Sequence, residues 1–129
     1  MRKISRKRIE EIKKYRETKK ELFLKNLRAG TLRCFFSERP IKITEELRYE
    51  DDDTLINMLE CHHLNNQRYG DRLYDKDMLV PVLRSYHTLY HSLPVEKLLK
   101  TSWYAGFLER LKNKSEEVYN KELKKQDKI

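Results

Sequence analysis

The sequence predicts an α+β fold in which a small strand–loop–strand–helix unit lies between basic helical segments. Three observations predict it. The first thirty positions carry apolar side chains at helical spacing among many lysines and arginines. Short apolar, β-leaning runs separated by turn residues fill the middle of the chain. A second lysine-rich helical pattern closes it.

Taken in order, residues 5–28 read as one helix, with Ser5 as N-cap and Gly30 as its stop. Ile9, Ile12, Tyr15, Leu22 and Leu27 recur along a face, and Arg6, Lys7, Arg8, Lys13, Lys14 and Arg16 occupy the others. Residues 32–36 and 41–43, broken by Pro40, suggest an irregular hairpin or edge strand. Residues 50–53 are an acidic turn, and residues 54–64 read as a buried strand ending in His62 and His63. A loop over 65–76 bends at Gly70, a short strand follows at 79–83, and a helix at 84–93. Pro94 can begin another helix, with Val95, Leu98, Leu99 and Trp103 toward the core. A final helix over 106–125 has Phe107, Leu108, Leu111, Val118 and Tyr119 at helical spacing. This divides the chain into a basic helix (1–30), a central unit (31–94) and a C-terminal helical segment (95–129), together one domain.

With 129 residues, 38% hydrophobic and 39% charged, the chain can build only a small core. A bound metal often supplements so small a core. The net charge of +8 favours polyanionic partners through its field and through counterion release. No apolar run approaches the roughly 20 residues that span a bilayer. The two cysteines, Cys34 and Cys61, give no disulfide framework, so a reducing cytoplasm is expected and no membrane. The terminal helices leave a homodimer open.

All four histidines fall within thirty residues: His62 and His63, then His87 and His91. Imidazole binds transition metals and moves protons near neutral pH. Residues four apart share a helix face, so His87 and His91 can point at one ion. Neighbours on a strand face opposite sides, so one member of the doublet can join them while the other does different work. The residues alone give three imidazoles able to share a metal and one that does not, without fixing which of the doublet is which. Arg68 and Arg84 flank this group and suit bidentate phosphate binding. Glu60 is either an acceptor that orients a ligand or the partner of a nearby arginine.

The wording Leu59-Glu60-Cys61-His62-His63-Leu64, then Asp77-Met78-Leu79-Val80-Pro81-Val82-Leu83-Arg84-Ser85-Tyr86-His87, with His91 four residues on, resembles the HNH nucleases. Their usual pattern is close to E-V-H-H-L…(D/N)-L-V-P-L-C-R-x-C-H-x-x-I-H. The resemblance is close over about residues 58–94, and the basic opening is similar to that of phage-encoded HNH proteins. The step from His63 to His87 looks like that of colicin-type DNases, which also have a glutamate where Glu60 stands. Leu83 and Tyr86 occupy positions where relatives carry zinc-binding cysteines, so no structural zinc is expected. Met78 stands where the family has an Asn or Asp that ties the loop, a role within reach of Asp75, Asp77, Asn65 or Asn66.

The resemblance implies a ββα-metal (His-Me) finger and a metal-dependent endonuclease that nicks or cuts double-stranded DNA. It implies one divalent ion (Zn²⁺, Mg²⁺, Mn²⁺ or Ni²⁺) on His62, His87 and His91, and His63 as general base. Glu60 and Arg84 would assist catalysis, and Arg6, Lys7, Arg8, Lys13, Lys14 and Arg68 would contact the nucleic acid. Phage packaging or recombination proteins are the partners such a setting suggests, in a prokaryotic or phage-infected cytoplasm. The alternative expectation is a finger without catalysis, serving as a metal-stapled DNA-binding or protein-interaction module.

Overall fold

The computed structural model describes residues 4–65 and 70–128. It is an α+β protein, mostly helical, with one two-stranded antiparallel sheet and a long N-terminal helical segment. Among the described residues no helix is long and apolar enough to cross a membrane.

Helix α1 (Arg6–Lys19) starts where Ser5 is extended and its hydroxyl accepts from the Arg8 N–H at 3.1 Å. The helical path then widens into a π-helical stretch, Lys20–Leu24, and resumes as α2 (Lys25–Ala29). Gly30 ends it at φ 75°, a left-handed conformation that costs glycine little. The wider turn brings Lys19, Phe23 and Leu27 inward together. Lys19 Nζ is buried with them and donates to the Leu59 carbonyl at 2.9 Å, fastening the helix to the chain just before the sheet.

The expected hairpin over 32–43 reduces to a single bridge, Arg33 to Pro40. Proline has no N–H to extend a ladder, and the segment instead docks on the sheet through Phe35 N–H to Pro81 O at 2.9 Å. Residues 54–64 are not one strand. Asp51 accepts from Thr54 N–H at 2.7 Å and, with Asp52 and Asp53 in the first turn, starts helix α3 (Asp52–Met58). The acidic turn is therefore a helix cap, as negative charge at a helix N-terminus favours. Arg28 and Lys20 pair with Asp52 and Asp53, tying α3 to the N-terminal segment.

Strand β1 (Glu60–His63) then pairs antiparallel with β2 (Leu79–Val82), His62 opposite Val80 and His63 opposite Leu79. The connection contains a 3₁₀ turn, Gly70–Tyr74, lying against α1, where Lys14 sits over the Tyr74 ring. Helix α4 (Arg84–Ser92) follows β2 directly, giving strand, loop, strand and helix in sequence. Pro94 caps rather than joins the short α5 (Val95–Leu98); Leu98 is buried, but Leu99, expected inside, faces solvent. The single C-terminal helix expected over 106–125 is two, α6 (Tyr104–Lys114) and α7 (Glu116–Lys124). Ser115 breaks it: its backbone is extended and its hydroxyl accepts from Val118 N–H at 3.3 Å.

The core joins all these pieces, with Phe36, Leu55, Ile56, Leu79, Tyr104, Phe107 and Leu111 essentially inaccessible.

Candidate metal centre and adjoining cleft

The centre is built by β1 and α4 crossing over an aromatic floor. Alternation along β1 sends His62 to the α4 side, where His87 and His91 occupy one helix face. His62 Nδ1 lies 3.2 Å from His87 Nε2, and His87 Nε2 lies 3.0 Å from His91 Nε2. The three imidazoles each present a nitrogen within 4.8 Å of the others, close enough to hold a metal ion. Nitrogens bound about 2.0–2.1 Å from one ion, at angles of about 90–110°, stand about 2.9–3.4 Å apart. The two spacings fall in that interval, so these nitrogens lie close enough together to hold a metal ion.

Phe36, fully buried, supports the group: its ring is 5.4 Å from that of His62, 6.0 Å from His87 and 4.8 Å from Tyr90. Burial foremost, and then the neighbouring imidazoles, lower the pKa of His62 from 6.5 to about 3. It is neutral at physiological pH, the form that offers a lone pair to a metal. Glu60 stands behind His87, with Oε2 3.3 Å from Nδ1. That oxygen is shielded from solvent and has no well-aligned hydrogen bond. A carboxylate beside the outer nitrogen of a ligating histidine fixes which nitrogen carries the proton. Arg84 approaches the other oxygen of Glu60 at 3.7 Å but is itself largely exposed. Glu60 thus lies near both of the groups the sequence reading offered it, His87 and Arg84.

His63 faces away from the triad, toward α1. Its ring meets Tyr15 edge-on at 5.4 Å, and its Nε2 lies 3.0 Å from the Leu73 carbonyl. A carbonyl only accepts, so Nε2 is the donor and, in the neutral ring, Nδ1 is the acceptor nitrogen. Leu73 belongs to the loop, and Asn65 Nδ2 donates to the adjacent Arg72 carbonyl at 3.3 Å. Of the side chains named for the missing loop tie at Met78, Asn65 makes this bond and Asp75 accepts from Asp77 N–H at 3.0 Å, while Asn66 lies outside the described residues. The Met78 side chain packs against the core, and its carbonyl accepts from Leu64 N–H at 2.8 Å.

His63, Glu60, His87, Arg84 and Arg8 share a cleft of about 500 Å³, walled by Ile12 and Tyr15 of α1 and by Asn57 and Met58 of α3. Of the basic residues singled out on α1, Arg8 lines this cleft and pairs with Glu11 at 3.0 Å. Arg6, Lys7 and Lys13 project to solvent, and Lys14 lies over Tyr74. Arg68 lies outside the described residues. Leu83 and Tyr86 pack against the core, with the Tyr86 ring 5.7 Å from Trp103, so apolar packing occupies the positions where a second metal site was not expected.

Four contributors were not identified from the sequence. Tyr15 and the Leu73 carbonyl hold His63; Phe36 floors the triad; Glu122 anchors its far wall. Glu122, buried on α7, accepts from Tyr90 Oη at 2.7 Å and Tyr104 Oη at 2.9 Å, and pairs with Lys125 at 2.8 Å. Only the helical spacing of α7 could have marked Glu122, and it places that glutamate four residues past Val118. No protein-family model matches the chain, and neither curated proteins nor solved structures show significant similarity to it.

Proposed function

We propose that the protein is a metal-dependent endonuclease that hydrolyses DNA phosphodiester bonds, built as a ββα-metal finger. The observation that carries this reading is the division of the histidine doublet. His62 converges with His87 and His91, while His63 turns to the opposite face of the strand and into the cleft.

His62, His87 and His91 would hold the ion, which when bound supplies Lewis-acid stabilisation of charge on the phosphate and leaving oxygen. His63 takes a proton at Nδ1 from the attacking water, its ring held by the Leu73 carbonyl and by Tyr15. The water oxygen bonds to phosphorus, one P–O ester bond breaks, and the departing oxygen gains a proton from solvent. Glu60 keeps His87 in the tautomer that presents Nε2 to the triad. Arg84 and Arg8, at the cleft edge, draw the phosphate in. The basic surface of α1, with Arg6, Lys7, Lys13 and Lys14, adds sequence-independent attraction.

The second reading, a metal-stapled DNA-binding or protein-interaction module without catalysis, draws on Met78 at the family's Asn position. Supercoiled plasmid separates the two. With Mg²⁺, Mn²⁺, Ni²⁺ or Zn²⁺ the wild type relaxes or linearises plasmid, chelator stops it, and His63→Ala lowers the rate roughly 10²–10⁴-fold. Plasmid left intact by every metal would reject the endonuclease assignment, and plasmid cut equally well by His63→Ala would reject His63 as the base.

A further inference from the structure

We propose that the cleft beside the triad takes an unpaired nucleotide, so that single-stranded or locally opened DNA, rather than uninterrupted duplex, is the substrate class. The inference rests on the endonuclease reading for the chemistry but on separate observations for the choice of strand.

The candidate base is recessed. His63 is 9% exposed, and Cys61, which also lines the cleft, is 7% exposed. A phosphate must therefore enter the cleft instead of resting on its rim. A duplex is stiff over many base pairs and bends smoothly only at a cost, whereas a single unpaired nucleotide can be splayed into a pocket. The cleft, at about 500 Å³, lies within the roughly 300–1,000 Å³ of small-ligand pockets. Arg16 of α1 donates to Asn57 of α3 at 3.1 Å, linking the two helices that wall it.

The lining mixes two chemistries. Arg8, Arg84 and His63 suit a phosphate. Ile12 and Met58, 38% and 58% exposed, form an apolar lip at the mouth. A surface that follows duplex backbone meets only phosphate and sugar, and cations would serve it better than isoleucine and methionine at these two positions. An unpaired base offers an apolar face that a duplex keeps stacked, and such a lip can cover it. Phosphate at the arginines and base against Ile12 and Met58 accounts for both chemistries with one occupant.

The test uses the full-length protein and one labelled oligonucleotide sequence as single strand, bubble and perfect duplex. Binding is read by fluorescence anisotropy with His63→Ala protein at fixed salt, so nothing is cut. Single strand and bubble are expected to bind at least about tenfold tighter than duplex. Ile12→Ser and Met58→Ser, both at exposed positions and checked by thermal melting, are each expected to weaken single-strand binding by about tenfold and duplex binding by less than twofold. Duplex bound as tightly as single strand overturns the proposal, as does an equal loss on both in the serine variants. Tighter binding of single-stranded RNA of the same sequence overturns the assignment to DNA. Cleavage of the same three substrates by wild type separates the two claims. Duplex cut fastest, by a His63-dependent activity, removes this inference and leaves the endonuclease; single strand preferred in binding with no cleavage does the reverse.

Discussion

Glu122→Ala is the perturbation that most directly tests how the C-terminal helix supports the triad. Glu122 is 4% exposed, and its carboxylate receives Tyr90 Oη, Tyr104 Oη and Lys125 Nζ, all within 2.9 Å. Tyr104 is 1% exposed, so the substitution strands its hydroxyl without solvent, a cost of about 1–3 kcal/mol. Tyr90 loses its acceptor but still receives Lys125 Nζ at 3.0 Å, so its share is smaller. The methylenes removed add a cavity term of about 1 kcal/mol. Lys125 is half exposed, and its ion pair contributes about 0–1 kcal/mol. Together these give about 3–5 kcal/mol, or roughly 10–20 °C in Tm for a chain of this size. Glu122→Gln keeps an acceptor oxygen and should lose only about 1–2 kcal/mol. The assay is urea denaturation with chelator present, so that no metal contributes. A double-mutant cycle of Glu122→Ala with Tyr104→Phe should show a coupling of about 1–2 kcal/mol. A loss below about 1 kcal/mol in Glu122→Ala, or strict additivity in the cycle, would refute the view that this carboxylate holds the aromatic wall.

Four further outcomes are expected. Zinc at about a hundred times its Kd should stabilise the wild type by about 2.7 kcal/mol; His87→Ala and His91→Ala should lose that gain and His63→Ala should keep it, which melts with and without metal would show. In chelator, stability should fall as pH drops from 6.5 toward 3, because His62 stays neutral when folded while the unfolded ring takes a proton; a pH series in which His62→Asn has the wild-type slope would contradict this. Burial foremost raises the Cys61 thiol from 9.0 to about 12, so above pH 9 the unfolded chain ionises first and stability declines with rising pH; alkaline denaturation of Cys61→Ala should be shallower over that range. Gly30→Ala meets open space around the added Cβ but keeps a φ of +75°, so it should cost about 1 kcal/mol by strain alone, measurable by thermal melting.

The sequence displayed the ligand set more clearly than the scaffold that holds it. Periodicity located β2, α4 and the N-terminal helical segment as a whole to within a residue, but not the π-helical stretch that divides that segment into α1 and α2. It misplaced the start of β1, since Thr54, Leu55 and Ile56 suit a buried strand as well as a helix. The deciding contact was the Asp51 carboxylate on Thr54 N–H, a cap hidden in what read as a solvated acidic run. Ser115 was invisible for the same reason: a serine inside a helical pattern becomes a break only when its hydroxyl turns to cap the next helix. Contacts between distant segments, Phe36 beneath the triad, Tyr15 against His63 and Glu122 beneath Tyr90, have no local signal at all. Each depends on tertiary packing rather than on spacing.

These distant contacts explain how four residues of strand can carry two roles. A two-stranded sheet is marginal in water by itself, and here it is only four residues long in each strand. Its His63 face is covered by α1 and the 3₁₀ turn. Its His62 face is covered by α4, by Phe36 and, through Tyr90 and Glu122, by α7. The terminal helical segments therefore act as opposite walls of one thin partition, with His62 facing one wall, His63 the other, and His87 also lining the cleft. Removing either wall would free one histidine of the doublet from its place while leaving the sequence motif intact. The motif by itself consequently does not set this arrangement; the separation of His62 from His63 depends on the chain ends that pack around it.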